Sequence, residues 1–339
     1  MPDTSFLILI FIIILAIGFG IVNGFNDAAN AIATVIGTRA LAPRNAIMMA
    51  AVLNFAGAAT GLAVAHTIGK GILVPEAITF PTIIAALLSI IIWGTLATYM
   101  GLPISLHHGF IAGLAAAGIA VSGGGAVVWS VMAKIVAAVF IAPTLGFLGG
   151  YILMGLLYWI FHRASPARVR GIFSNLQILS AAFMAYSHGK NDGQMPIGVI
   201  TMALVIFYQD PSLWDRLSLF NPDTWWIIVI SAIAISTGTA IGGWRVIRTL
   251  GLKVTTLRQI HGFAAESSAA TVIEVASHFG IPVSTTHLIS AAIMGVGSTT
   301  RFSAVRWGIA GDIVAAWILT FPICGALGYL FSWLLHLIF

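Results

Sequence analysis

Apolar runs long enough to cross a bilayer recur along the whole chain: Phe6 to Val22, Ala46 to Thr67, Ile83 to Met100, Val127 to Ile160, Thr224 to Trp244 and Trp307 to Ile338. A hydrocarbon core of about 30 Å takes about 20 helical residues. Membrane-spanning barrels show short alternating strands with a much weaker apolar signal. The pattern therefore predicts an all-α, polytopic membrane protein. The start, Met1-Pro2-Asp3-Thr4, lacks the basic region and small-residue cleavage site of a secretory signal, so the first run is expected to stay as a helix. Ser174 to Tyr208 is longer than one straight crossing needs and contains Gly189, Gly193 and Pro196, which predicts a broken helix.

Composition sharpens this picture. Hydrophobic residues make up 59% of the chain and charged ones 7%, against about a quarter charged in soluble domains, and a water-soluble fold is excluded. The net charge of +5 could suggest nucleic acid. However, the basic residues gather in loops, Arg163, Arg168 and Arg170 in one and Arg245, Arg248, Lys253 and Arg258 in another. The positive-inside rule accounts for both and assigns them to the cytoplasmic face. Between them, Gln209 to Asp223 carries Asp210, Asp215 and Asp223 against Arg216, which suits the opposite face. The lone Cys324 excludes intrachain disulfides and speaks against a Cys-based metal site.

Three matches in the same order point to an internal duplication. Gly24-Phe25-Asn26-Asp27 pairs with Gly189-Lys190-Asn191-Asp192, and Leu102-Pro103-Ile104-Ser105-Leu106-His107-His108 with Ile281-Pro282-Val283-Ser284-Thr285-Thr286-His287. Ile135-Val136-Ala137-Ala138 with Pro143 and Gly146 pairs with Ile313-Val314-Ala315-Ala316 with Pro322 and Gly325. We divide the chain into repeats 1–170 and 171–339. Duplicated halves with Gly- or Pro-interrupted helices are a pointer to a secondary transporter with its site between the repeats.

The paired elements carry the candidate chemistry. Asp27 and Asp192 lie among small residues, where a helix could unwind and free carbonyls to join a carboxylate around a hard cation. Asn26, Asn30 and Asn191 supply amides that coordinate a cation through oxygen or donate to an anion through nitrogen; an interhelical hydrogen-bond clamp is the plainer reading. In each Pro-Ser element a proline ends one helix and a hydroxyl begins the next, opening a helix N-terminus that favours an oxyanion. Glu266, among small residues, is a candidate coupling site, as cation ligand or proton carrier. Glu274 lies two turns on, roughly on the same face, without an assigned partner. Lys134 aligns with Asp312, which suggests an ion pair between repeats. His107, His108, His188 and His287 show no recognised zinc spacing. No nucleotide loop, nucleophile triad or redox cysteine pair is present, so neither an enzyme nor a resident cofactor is expected.

These motifs resemble those of the inorganic phosphate transporter (PiT) family, of the bacterial low-affinity permease type. Gly24 to Ala31 agrees with G-F-N-D-x-A-N-A, His188 to Gln194 with H-G-x-N-D-x-Q, and Pro282 to His287 with P-V-S-T-T-H. The resemblance implies inverted repeats in the plasma membrane and import of inorganic phosphate by symport with H⁺ or Na⁺. In some bacterial members it also implies transport of a neutral metal–phosphate complex, and it is compatible with a homodimer. It assigns Asp27, Asn30, Asn191 and Asp192 to substrate and cation coordination, and Ser105, Ser284, Thr285 and Thr286 to the oxyanion. The chain departs from the pattern at His107, beside His108, where hydroxyls are usual, and at Lys190, where a small or hydroxylated residue is usual. These residues, with His287, are candidates for tuning. Two alternatives stand beside phosphate import: transport of another oxyanion such as sulfate, and a membrane phosphate sensor that does not transport. The segments after Pro103 and Pro282 either cross the membrane or turn back within it.

Overall fold

The computed structural model describes residues 4–338, which are helical apart from turns and an isolated β-bridge between Leu73 and Val127. α1 (Thr4–Gly37) leads into α2 (Pro43–Ala58) and α3 (Ala63–Lys70), which bend from each other by 69°. α4 (Phe80–Met100) and α5 (Leu106–Ser122) form a hairpin, and α6 (Trp129–Ile160) follows. The same order then returns. α7 (Pro166–Asp192) and α8 (Gln194–Tyr208) run on through the short α9 (Leu213–Arg216) to α10 (Trp225–Ile241) and α11 (Trp244–Arg248). α11 continues as a π-helical turn, Thr249–Lys253, and is bent from α10 by 60°. The hairpin of α12 (Gln259–His278) and α13 (Thr285–Thr300) precedes α14 (Trp307–Ile338). Five helices are long and apolar enough to span a membrane alone, or up to seven with each bent pair counted as one span.

Both hairpins turn by the same local rule. Gly101 and Gly280 stop the incoming helix at φ of 75° and 66°, a conformation that costs glycine nothing. Pro103 and Pro282 keep the next residues from resuming the helix. Ser105 and Ser284 then start the outgoing helix, their hydroxyls accepting from the N–H of His108 (3.3 Å) and His287 (3.1 Å).

The hairpins turn back within the bundle. The base of the first is laced by Val74 N–H donating to Ala126 O and Val128 N–H to Ile72 O, both at 2.9 Å. The base of the second is laced by Arg306 N–H donating to Val254 O at 2.9 Å and Thr255 Oγ1 to Ala304 O at 3.0 Å. Each tip is held by the bent pair of the other half: Thr249 Oγ1 donates to Gly101 O (2.9 Å), and Thr67 Oγ1 to Gly280 O (2.7 Å).

The halves interlace. α5 lies along α14, α13 along α6, α1 against α10 and α2 against α7. Between helices already in hydrocarbon there is no hydrophobic gain, so association rests on close packing at small residues. A Cβ at Gly24 would lie 2.0 Å from Ile235 O, and one at Gly189 would lie 2.2 Å from Asn54 O. Outward faces of α6 and α14, with Phe140, Trp159 and Leu337 exposed, are left for lipid.

The expected unwinding at the Asn-Asp elements fails here. α1 runs unbroken through Asp27, and α7 and α8 are separated only at Gly193, whose φ of −65° and ψ of −19° are helical. The Asn-Asp elements therefore free no run of carbonyls, whereas the Ser174 to Tyr208 segment is divided at Gly193 into α7 and α8, as its glycines and proline predict. Their glycines serve helix contact rather than unwinding. The sharp breaks fall at α2–α3 and α10–α11. The expected Lys134–Asp312 pair is also not formed: each residue sits near the start of its own 32-residue helix, and those starts adjoin different hairpin bases.

Two apolar cores result, one around each hairpin. α1 gives Leu9, Ile12, Ala16 and Phe19 to the first and Ala28 to Val35 to the second, while α7 gives Phe173 to Ala185 to the second and α8 gives Met195 to Leu204 to the first. The polar stretches 23–30 and 187–194 lie at the seam.

Candidate functional site

At that seam the two Asn-Asp elements meet. Carboxylate oxygens of Asp27 and Asp192 and a ring nitrogen of His188 lie within 4.8 Å of one another, all buried. Two carboxylates this close in an apolar interior repel unless positive charge stands between them. α1 and α7 deliver them, and the tip of the α12–α13 hairpin closes over them.

Asp27 is surrounded by oxygen and amide groups. Thr286 Oγ1 donates to its Oδ1 at 3.0 Å, and Asn30 Nδ2 donates to Thr286 Oγ1 at 2.9 Å and Thr285 Oγ1 at 3.1 Å. Thr285 in turn donates to Asp192 Oδ2 at 3.3 Å, so the two threonines join the carboxylates. In the amide orientation that satisfies both partners, Asn23 Nδ2 donates to Asp27 Oδ2 (3.2 Å) and Asp192 Oδ2 (3.3 Å).

Asp192 has a different setting. His188 Nε2 lies 3.3 Å from Oδ2, and His107 Nδ1 lies 3.8 Å from Oδ1. Asn191 Nδ2 donates to Asp192 Oδ1 at 3.0 Å and to Val283 O in the hairpin tip at 2.8 Å, while Ser277 Oγ donates to Asn191 Oδ1 at 3.3 Å. His188 is itself oriented through Nδ1 by Asn54 Oδ1 at 2.9 Å, whose amide donates to Thr239 at 2.8 Å.

The other predicted residues fall around this centre in distinct places. Asn26 grips the first hairpin instead, donating to Thr98 Oγ1 at 2.7 Å and Leu102 O at 3.4 Å. Ser105 and Ser284 are buried caps whose O–H bonds remain able to donate. His108 and His287 face each other at 5.0 Å between ring centres, His108 stacked on Phe321 and His287 on Trp317. Lys190 lies outside the carboxylate pair and forms an ion pair with Glu274, the partner that sequence reading could not assign.

Glu266 forms a second, fully buried polar centre. Thr34 and Ser180 each donate a hydroxyl to its carboxylate, and Gln177 Nε2 lies 3.4 Å away. Thr38 fixes the Gln177 amide through a bond of 2.7 Å to its Oε1. Thr34 lies seven residues beyond Asp27 on the same helix, roughly 10 Å along its axis. The structure does not bring Glu266 to the Asp27–Asp192 pair.

Sequence reading passed over Asn23, Asn54, Thr34, Gln177 and Ser180, and gave His188 no role at the site. A signal was present for two of them. Asn23 and His188 stand four residues before Asp27 and Asp192, on the same helical face. The carboxylates, the threonine hydroxyls and the buried Oδ1 atom of Asn30, which has no donor among the described residues, are hard oxygen donors suited to Na⁺. The N-terminus of α13, with its hydroxyls, suits an oxyanion.

Interlaced halves, re-entrant hairpins and buried charges at their meeting point are the architecture of a polytopic membrane transporter. Residues 23–328 match the phosphate transporter family, and the chain belongs to it. It is 39% identical over 339 residues to a probable low-affinity inorganic phosphate transporter of Bacillus subtilis, covering 99% of this chain and 100% of that one. It is 40% identical to the protein of the same description from Rhizobium meliloti, covering 94% of this chain and 93% of that one. A solved structure titled the sodium-dependent phosphate transporter superimposes with a TM-score of 0.88 at 26% identity, covering 98% of this chain and all of that one.

Proposed function

We propose that the protein imports inorganic phosphate across the plasma membrane by symport with a cation, H⁺ or Na⁺, and that the Asp27–Asp192 pair is where cation and phosphate meet. The observation that carries this is the convergence of two buried carboxylates with Thr285 and Thr286 at a helix N-terminus. A carboxylate pair needs a cation, and the cation then offsets the charge of the arriving phosphate, so that neither ligand is favoured alone. Phosphate, unlike sulfate, carries a proton that a carboxylate can accept. The repeats 1–170 and 171–339 would alternate access by moving each hairpin against the long helix of the other half.

The hydroxyl and amide groups around Asp27, together with the sodium dependence in the solved relative's title, favour Na⁺. The Asp27, His188 and Asp192 donors also support a second reading, in which a divalent metal travels with phosphate as a complex. Radiolabelled phosphate uptake into proteoliposomes, with gradients of Na⁺, H⁺ and divalent metal imposed one at a time, separates these. Concentrative uptake driven by one cation gradient is expected, and uptake indifferent to all three would sink the symport reading. Excess sulfate is expected not to compete.

A further inference from the structure

Away from the carboxylate site, the face bearing the basic loops holds two adjoining cavities of about 630 and 530 Å³, which share Tyr158, Arg258 and His261. They lie where the end of α6, the start of α7 and the base of the α12–α13 hairpin come together. Arg170 lines the first cavity, Arg301 and Arg306 line the second, and Arg258 lines both. No carboxylate lines either one, and among the described residues none of these arginines forms an ion pair. Arg306 spends one nitrogen on the carbonyls of Leu252 and Lys253.

Two further features set the polarity and orientation of the cleft. The first turn of α12 opens into it at Gln259 and Ile260; His261 Nδ1 accepts from the Arg258 N–H at 3.3 Å, and among the described residues no side chain accepts from the N–H groups of Gln259 and Ile260. Arg258 precedes it and has donors only. Free N–H groups and the positive end of a 20-residue helix thus add to the guanidinium groups. Tyr158 stands between the cavities, its hydroxyl bonded to His261 Nε2 (3.0 Å) and Thr300 Oγ1 (3.2 Å). Trp159, Phe302 and Trp307, each next in sequence to a lining residue (Tyr158, Arg301 and Arg306), are 73%, 67% and 38% exposed, as aromatic residues at a membrane–water interface are.

Uncompensated arginines in a cleft at headgroup depth fit a tetrahedral phosphate group, which guanidinium binds in a bidentate manner. We propose that this cleft binds a phosphate-bearing anion, with the headgroup of an anionic phospholipid as the form its interfacial position favours. The reading is independent of the transport site, whose residues it does not use.

Native mass spectrometry of the purified full chain tests it, using phosphatidylglycerol and phosphatidylcholine as probes. The wild type should retain phosphatidylglycerol about tenfold better than phosphatidylcholine, and the double variant Arg258→Gln/Arg301→Gln should lose that preference. Arg170→Gln should weaken it in part, and Arg216→Gln, a basic residue outside both cavities, should leave it intact. Displacement of phosphatidylglycerol by millimolar inorganic phosphate in the wild type, with phosphate protecting the wild type more than the double variant in thermal melts, would support a phosphate site but overturn lipid as its source. Equal retention of the two lipids by wild type and double variant, without any effect of inorganic phosphate, would overturn the proposal.

Discussion

Asp27 and Asp192 occupy matching places in matching motifs, yet their surroundings differ. Asp27 meets Thr286 directly and Asn30 through it, a set of hydroxyl and amide groups. Asp192, besides the Thr285 hydroxyl and the Asn191 amide, meets two imidazoles, of His188 four residues earlier on its own helix and of His107 at the tip of the other half's hairpin. His107 is the counterpart of Thr286, and His188 of Asn23. Duplication has thus kept the geometry and changed the donors. Hard cations take oxygen ligands, whereas an imidazole offers nitrogen or a proton. The difference suggests unequal tasks: the first carboxylate as the better cation ligand, the second as a carboxylate that imidazoles also hold.

The largest effect that would break this comparison comes from removing each charge in turn. Asp27→Asn should abolish concentrative uptake, with apparent affinity for the driving cation falling about a hundredfold, the loss of about 3 kcal/mol expected when a charge-assisted contact goes. Asp192→Asn should also abolish accumulation but shift cation affinity less, because His107 and His188 remain. Proteoliposome uptake measured across a cation series decides the matter. Equal shifts in the two variants would show that the imidazoles do not distinguish the sites, and accumulation at wild-type level in either would remove its carboxylate from coupling.

A smaller effect tests whether the scaffold is as symmetric as the chemistry is not. Gly24→Ala and Gly189→Ala each drive a methyl into a backbone carbonyl of the facing helix, Ile235 O at 2.0 Å and Asn54 O at 2.2 Å. Overpacking of this kind costs about 1–3 kcal/mol, and both variants should melt earlier by similar amounts in detergent. If only one is destabilised, the α1–α10 and α2–α7 contacts are not equivalent.

Those glycines also mark the limit of what the chain disclosed before folding. The helical bundle, the duplication and the Pro-Ser turns were legible because they depend on local pattern: apolar length, repeated motifs, and Gly-x-Pro-x-Ser as a stop and restart. The cause assigned to Gly24 and Gly189 was not, since whether a glycine loosens its own helix or admits a neighbour is decided by which helix faces it. Pairing likewise lay beyond reach. Lys190 with Glu274, Glu266 with Thr34 and Ser180, and Asn26 with the first hairpin tip are contacts between elements far apart in sequence. The faces of α1 and α7 carrying Asn23 and His188 were nonetheless open to reading, had the four-residue spacing been followed back from each aspartate.

The smallest expected effect bears most directly on the asymmetry. His107→Thr replaces the imidazole with the hydroxyl its counterpart Thr286 supplies, and so adds a second hydroxyl beside Thr285 at Asp192. If the imidazole keeps the second carboxylate from serving a hard cation, half-saturating Na⁺ for phosphate uptake should fall about threefold to tenfold, a change of roughly 1 kcal/mol. The reverse exchange, Thr286→His, removes a hydroxyl that donates to Asp27 and accepts from Asn30, and should raise half-saturating Na⁺ by more than the first change lowers it. Opposite shifts would place the distinction between the halves at this one pair of positions. Unchanged cation dependence in both would mean that the unlike donors around Asp27 and Asp192 are tolerated variation, and that the carboxylates alone set the coupling.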